Sequence, residues 1–146
     1  MFDDLEISED KTRLEVGRIH AYLAGESYWA KDRPRELTEL AIASSMCLGA
    51  YAGGRQVAFG RVVTDHVALA WIADLFVFEE ARGHGIGTAM MRAIVDHPAL
   101  QSAKRMSLIT LDAHHVYEPF GFGPPAHPEM WMDRPRPGGP PVDRAG

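Results

Sequence analysis

Apolar and polar positions alternate with two different periods along the chain, and the changes of period mark its elements. After a short predicted strand at residues 5–7, Val16, Ile19, His20 and Leu23 fall at i, i+3, i+4 and i+7. That spacing describes one face of a helix running from about Asp10 and ended by Gly25. Asp32 and Pro34 open a second helix, with proline in the first turn where its missing N–H matters little. Leu37, Leu40, Ala41 and Ser44 form its predicted inward face. Residues 46–51 and 56–64 read as strands joined by the hairpin turn Ala52-Gly53-Gly54-Arg55. Asp65-His66 then turns the chain into residues 71–78, an apolar run interrupted only by Asp74, as a strand buried on both faces requires. Beyond a glycine-rich turn, Ile86, Met90 and Ile94 return to helical spacing until Pro98 stops the helix. Residues 106–111 form a further strand, and Met130-Trp131-Met132 is the candidate last strand. A hairpin meander followed by helix-linked strands predicts an α/β (α+β) domain with a mixed sheet.

Composition narrows this picture without changing it. With 146 residues, 46% of them hydrophobic, the chain is one domain able to bury a core. Residues 1–133 form that domain, and the Pro/Gly-rich residues 134–146 form a tail that buries little. The acidic start lacks the basic and apolar regions of a signal peptide, and no apolar run approaches a membrane span, so a cytoplasmic protein without membrane contact is expected. A net charge of −5 argues against nucleic acid as a partner and suits a cationic acceptor. Cys47, the single cysteine, excludes an internal disulfide and reads as a buried small hydrophobe.

The candidate chemistry sits where strand gives way to helix. Gly83, Gly85 and Gly87 let the backbone turn and keep side chains out of the way. The first amides of the following helix point into open space with partial positive charge, so residues 82–88 can cradle phosphate oxygens. That site comprises Arg82, Gly83, His84, Gly85, Ile86, Gly87 and Thr88; His84 contributes backbone rather than ring. No lysine follows the glycines, as an ATP or GTP loop requires, and their alternation does not match the dinucleotide pattern.

The segment Arg82-Gly83-His84-Gly85-Ile86-Gly87 resembles the coenzyme A loop of the GNAT acetyltransferases, [Q/R]-x-x-G-x-[G/A]. Leu75-Phe76-Val77 before it looks like that family's cofactor-facing strand. Tyr117-Glu118-Pro119-Phe120-Gly121-Phe122, some thirty residues on, resembles the family's late Y-E-x-[FL]-G-F signature. Ser27-Tyr28-Trp29-Ala30 and Leu111-Asp112-Ala113-His114 are similar to a bacterial subgroup of the family. That subgroup carries an arginine where Leu111 stands and a glycine where His115 stands, which implies a changed acceptor pocket.

The resemblance implies a largely antiparallel sheet with helices on both faces and an acetyl-CoA-dependent N-acetyltransferase acting on a small-molecule amine by direct attack. The alternative is a non-catalytic acyl-CoA-binding module of the same fold. It further implies that backbone amides at Phe76 and Val77 face the cofactor, that Tyr117 protonates the departing thiolate, and that a homodimer is possible for the family. Tyr28 and Trp29 then either wall the acceptor pocket or plug the core. Asp112 and His114, just before Tyr117, are placed to bind the acceptor or to deprotonate it through water. Asp74, a carboxylate in an apolar strand, is either a base with a raised pKa or one half of a structural ion pair. His114-His115 lacks the spacing of a zinc site, so no metal is expected.

Overall fold

A computed structural model describes residues 2–137. Its centre is a five-stranded sheet in the order β1-β2-β3-β4-β5, from β1 (Glu6–Ser8), β2 (Met46–Ala52), β3 (Arg55–Thr64), β4 (Ala70–Val77) and β5 (Met106–Ser107). The first three pairings are antiparallel and β4–β5 is parallel. The sheet is therefore mixed and largely antiparallel. The β2–β3 turn places Gly53 and Gly54 at φ 59° and 77°, the left-handed conformation that a two-residue hairpin needs.

Helices cover both faces. On one side, α1 (Val16–Gly25) and α2 (Arg35–Ser44) bury Ile19, Leu23 and Ile42 against Phe59, Phe76 and Phe78. On the other, α3 (Ile86–Val95) buries Ile86, Met90, Met91 and Ile94 against Leu48, Ala58, Val62 and Ile72. Gly60 leaves room for the Leu75 side chain of β4, because a Cβ there would stand 2.8 Å from Leu75 Cδ1, whereas Met90 and Ile94 of α3 would be at ordinary contact distances of 3.5 and 3.8 Å. The single cysteine is buried beneath α2, and burial pushes its thiol pKa up.

Four expectations need correction. The first helix begins at Val16 rather than near Asp10, because the Asp10 carboxylate accepts from the Thr12 amide and hydroxyl and closes a separate 3-10 turn. The inward face of α2 is Thr38 and Ile42, whereas Leu37 and Leu40 are 50% and 60% exposed. Thr38 can be buried because its hydroxyl lies 2.9 Å from His20 Nδ1 on α1. Ile42→Ala is therefore expected to cost about 2–4 kcal/mol, and Leu40→Ala less than about 0.5 kcal/mol, in denaturant unfolding.

The other two corrections concern the C-terminal part. The strand expected at 106–111 is in the sheet only at Met106 and Ser107. The expected last strand at 130–132 is a 3-10 turn, Pro128–Met130, followed by irregular chain. A proline at the start of that turn has no N–H for a ladder. Trp131 instead lies under the Arg105 guanidinium, 5.2 Å from its ring centre. The proposed tail at 134–146 lies mostly outside the described residues.

Candidate functional site

The site is organised by an irregularity in β4. Ala73 stands opposite Arg61 and Phe76 opposite Phe59, so Asp74 and Leu75 together oppose Gly60. Two residues against one make a bulge, and Asp74 adopts φ 50° to form it. The bulge shifts the inside–outside alternation by one. Ile72, Leu75 and Val77 all pack toward α3, while Asp74 and Phe76 turn to the opposite face. β4 thereby parts from the segment after β5, and a cleft opens between them.

That cleft is lined by Ile72, Ala73, Asp74 and Leu75 of β4, by Tyr28 and Trp29, by 108–110 and Asp112–Ala113, and by Tyr117. It brings together five of the sequence-derived residues outside the glycine loop: Tyr28, Trp29, Asp74, Asp112 and Tyr117. His114 is exposed and does not line it. Among the residues that the sequence did not single out are Ile72, Leu108 and Ile109, whose apolar character looked like ordinary core, and Thr110, whose hydroxyl accepts from the Ala113 amide.

Tyr117 ends the short helix α4 (His114–Tyr117). Its ring meets Phe122 edge-on, 6.2 Å between centres, and its hydroxyl makes no hydrogen bond among the described residues. Burial, and secondarily the nearby Tyr28, raise its pKa above the ordinary phenol value. The group is thus a protonated donor with its proton uncommitted.

Asp74 has the opposite character to a raised-pKa base. Its side chain is buried, and it accepts from Trp29 Nε1 at 2.8 Å, Arg33 Nη1 at 2.9 Å and Arg61 Nε at 2.7 Å. Burial alone would raise its pKa, but the Arg33 hydrogen bond and the Arg61 and Arg33 charges outweigh it and leave the pKa lowered. Of the two sequence alternatives, the ion pair is the one formed, and a base at Asp74 is corrected accordingly. Arg33 and Arg61 were missed. A usable signal existed, since Arg61 is the one charge between Gly60 and Val62 of an apolar strand beside the strand that holds Asp74.

At the other end of β4 lies the glycine-rich turn. After a 3-10 turn (Glu79–Ala81), Gly83 and Gly85 take φ 81° and 77°, and Gly85 is the N-cap of α3. A Cβ on either would meet nothing within 4 Å, so the backbone angle, not crowding, demands glycine. A Cβ on Gly87 would touch Val77 Cγ2 at 3.7 Å, an ordinary contact. Among the described residues, none of the amides of Gly83, His84, Gly85, Ile86, Gly87 and Thr88 donates a hydrogen bond, whereas the Ala89 amide donates to Gly85. Six consecutive unpaired N–H groups, running into the positive end of a ten-residue helix, are donors suited to phosphate oxygens. The His84 ring packs on Phe2, 4.5 Å away, and leaves only its backbone to the turn.

Arg82 is held differently from expectation. Its Nε donates to the Val77 carbonyl at 3.2 Å and Nη2 to the Tyr22 hydroxyl at 3.0 Å. These bonds turn its charge back toward β4. The same contact shows which amide β4 offers. Phe78 N–H donates to Val57 on β3, and alternation along an extended strand points Phe76 the same way and Val77 toward the open edge. Val77, not Phe76, presents its amide there; the Phe76 ring is buried, stacked on Tyr22 at 4.0 Å.

The profile of the acetyltransferase (GNAT) family matches residues 14–122. A provisionally named acetyltransferase of Gibberella zeae is 28% identical over 136 residues, covering 78% of this chain and 76% of that protein. A crystal structure of a provisionally named GNAT-family acetyltransferase from Xanthomonas campestris pv. campestris is 43% identical, with a TM-score of 0.89 over 94% of this chain and 97% of the other. A GNAT-family acetyltransferase from Elizabethkingia anophelis, solved with acetyl-CoA bound, shares the fold at 14% identity, with a TM-score of 0.63 over 83% of this chain and 77% of that one.

Proposed function

Because the chain belongs to the GNAT acetyltransferase family, we propose that it transfers the acetyl group of acetyl-CoA to the amine of a small molecule by direct attack. The observation that carries this proposal is the run of six unpaired amides at residues 83–88, joined along β4 to a cleft containing an uncommitted tyrosine hydroxyl. The fit to coenzyme A rests on those amides and on the open space at Gly83 and Gly85. The fold shared with an acetyl-CoA complex agrees with it.

When bound, acetyl-CoA supplies an activated thioester. The residues of this chain then have separate tasks. The 83–88 amides bind phosphate oxygens without needing a lysine. The Val77 N–H at the open edge of β4 is a preorganised donor for negative charge developing on the acyl oxygen. Tyr117 holds the proton that the departing sulfur takes, and reference pKa values of phenol and thiol, about 10 and 8.5, make that transfer feasible. Tyr28 and Trp29 wall the acceptor side. Asp112 is the one carboxylate lining the cleft besides Asp74, and since the Asp74 oxygens are taken, Asp112 receives the acceptor ammonium. The ammonium first loses one proton to solvent. The free amine then attacks, and the new N–C bond forms as the C–S bond breaks. The sulfur takes the Tyr117 proton, and the second amine proton leaves past Asp112 to solvent, which returns a proton to Tyr117.

Amine-dependent thiol release from acetyl-CoA across a panel of small amines tests the proposal; saturable acetyl-CoA binding with no release for any amine would favour a binding module. Two further outcomes are expected. Gly85→Val forces a β-branched residue to φ 77°, and a left-handed L-residue costs at least about 1–2 kcal/mol. The acetyl-CoA dissociation constant should rise about tenfold or more, read by calorimetry; an unchanged value would detach this turn from the cofactor. The second concerns pH. A folded-state pKa raised above about 10 keeps Tyr117 protonated below that pH, and its contribution is lost only as pH rises through the raised value. The Tyr117-dependent alkaline limb of the rate profile is therefore expected above pH ~10, and its appearance near neutrality would contradict the acid role.

A further inference from the structure

Three segments far apart in sequence wall the acceptor cleft, and one carboxylate ties them. Trp29, in the loop between α1 and α2, donates its indole N–H to Asp74 Oδ1 at 2.8 Å. Its neighbour Tyr28 packs edge-on against the indole, 5.1 Å between centres. The Tyr28 hydroxyl accepts the amide of Leu111, across the cleft, at 2.9 Å. Among the described residues that amide makes no other hydrogen bond, and no strand ladder holds its segment, because β5 ends at Ser107. Asp74 is itself pinned by Arg33 and Arg61 and by the left-handed turn of the bulge.

We propose that Asp74 is a positioning residue that sets the width of the acceptor cleft through Trp29 and Tyr28 to Leu111. This role rests on the assignment of the cleft to the acceptor, but the tie itself is a property of the unliganded protein. The Asp74 carboxylate anchors the indole; the indole holds the Tyr28 ring; the Tyr28 hydroxyl holds Leu111, three residues beyond the core contact at Leu108, at a fixed distance from β4. Aspartate suits the place because it tolerates φ near 50° better than larger residues and offers two oxygens to three side chains. Its lowered pKa keeps it an acceptor at every physiological pH.

Hydrogen exchange followed by nitrogen-15 NMR on the full chain, without ligand, tests the tie. Two variants are compared with the parent. Asp74→Asn keeps the size and the left-handed tolerance but weakens the anchor; Trp29→Phe removes only the indole donor and leaves Asp74 with both arginines. In each, exchange at the Leu111 amide is expected to accelerate about tenfold, while amides of β2 and β3 keep their rates. If Asp74→Asn does not fold, Trp29→Phe decides alone. An unchanged Leu111 rate in Trp29→Phe would overturn the proposal. So would uniform acceleration at Leu111 and in β2 and β3, which would make the Asp74 cluster a support of the whole fold. Because no cofactor or acceptor is added, either failure would leave the acetyl-transfer proposal untouched.

Discussion

Tyr117→Phe is expected to slow amine-dependent thiol release from acetyl-CoA by about 10²–10⁴-fold, the range a positioned general acid supplies, with acetyl-CoA affinity retained. The change removes one oxygen and little volume, and that oxygen makes no hydrogen bond among the described residues, so no protein partner is left unsatisfied. The ring keeps its contact with Phe122 and its place against the core beneath α3. Stability should therefore change little, which separates a chemical loss from a structural one. Steady-state rates and calorimetry on the same preparation give the check. Full activity in the variant would remove Tyr117 from the acid role.

Asp74→Ala is expected to lower folding stability by about 3 kcal/mol, at the lower end of what removing one partner of a buried ion pair costs. The lower end applies because Arg33 and Arg61 keep 19% and 15% of their side chains exposed and can recover some hydration. Two guanidiniums would remain beside each other with no counter-charge, the Trp29 N–H would lose its acceptor, and alanine would occupy φ 50° less readily than aspartate. The pH dependence follows from the same pair. The folded pKa of Asp74 lies below its unfolded value, so its contribution is complete above about pH 4 and is lost only as pH falls through the lowered value. Urea unfolding of the parent between pH 5 and 7 should show no loss from this group. A variant whose midpoint matched the parent's would show that the cluster contributes nothing.

Local chemistry was legible where backbone requirements were strict. Gly53-Gly54 and Gly83-x-Gly85 sit where positive φ is required, and each turn formed where these glycines are. The helical spacing of Ile86, Met90 and Ile94 matched α3, because a helix packed on a sheet must bury one stripe. Asp74 stood out for the right physical reason, as a charge in an apolar strand, yet the sequence left base and ion pair open. Its partners come from a loop 41 positions earlier and from the neighbouring strand, and no spacing rule joins them. The bulge was equally hidden, since one extra residue in a ladder leaves no compositional trace, although it decides that β4 parts from the segment after β5 and that the cleft exists. The inward face of α2 was misread because leucine was weighed above threonine; one hydrogen bond between Thr38 and His20 reversed that order. Apolar residues at 106–111 and 130–132 suggested strands, but a strand also needs a neighbouring edge, and only Met106 and Ser107 find one on β4.

The central claim is that residues 83–88 form a coenzyme A site, and calorimetric titration with acetyl-CoA, with ATP and NAD as controls, tests it most directly. The account predicts saturable binding of acetyl-CoA, weakened in Gly85→Val, and no comparable binding of NAD or ATP. No binding of acetyl-CoA to protein verified as folded would contradict it, and the glycines of the turn would then serve the backbone alone.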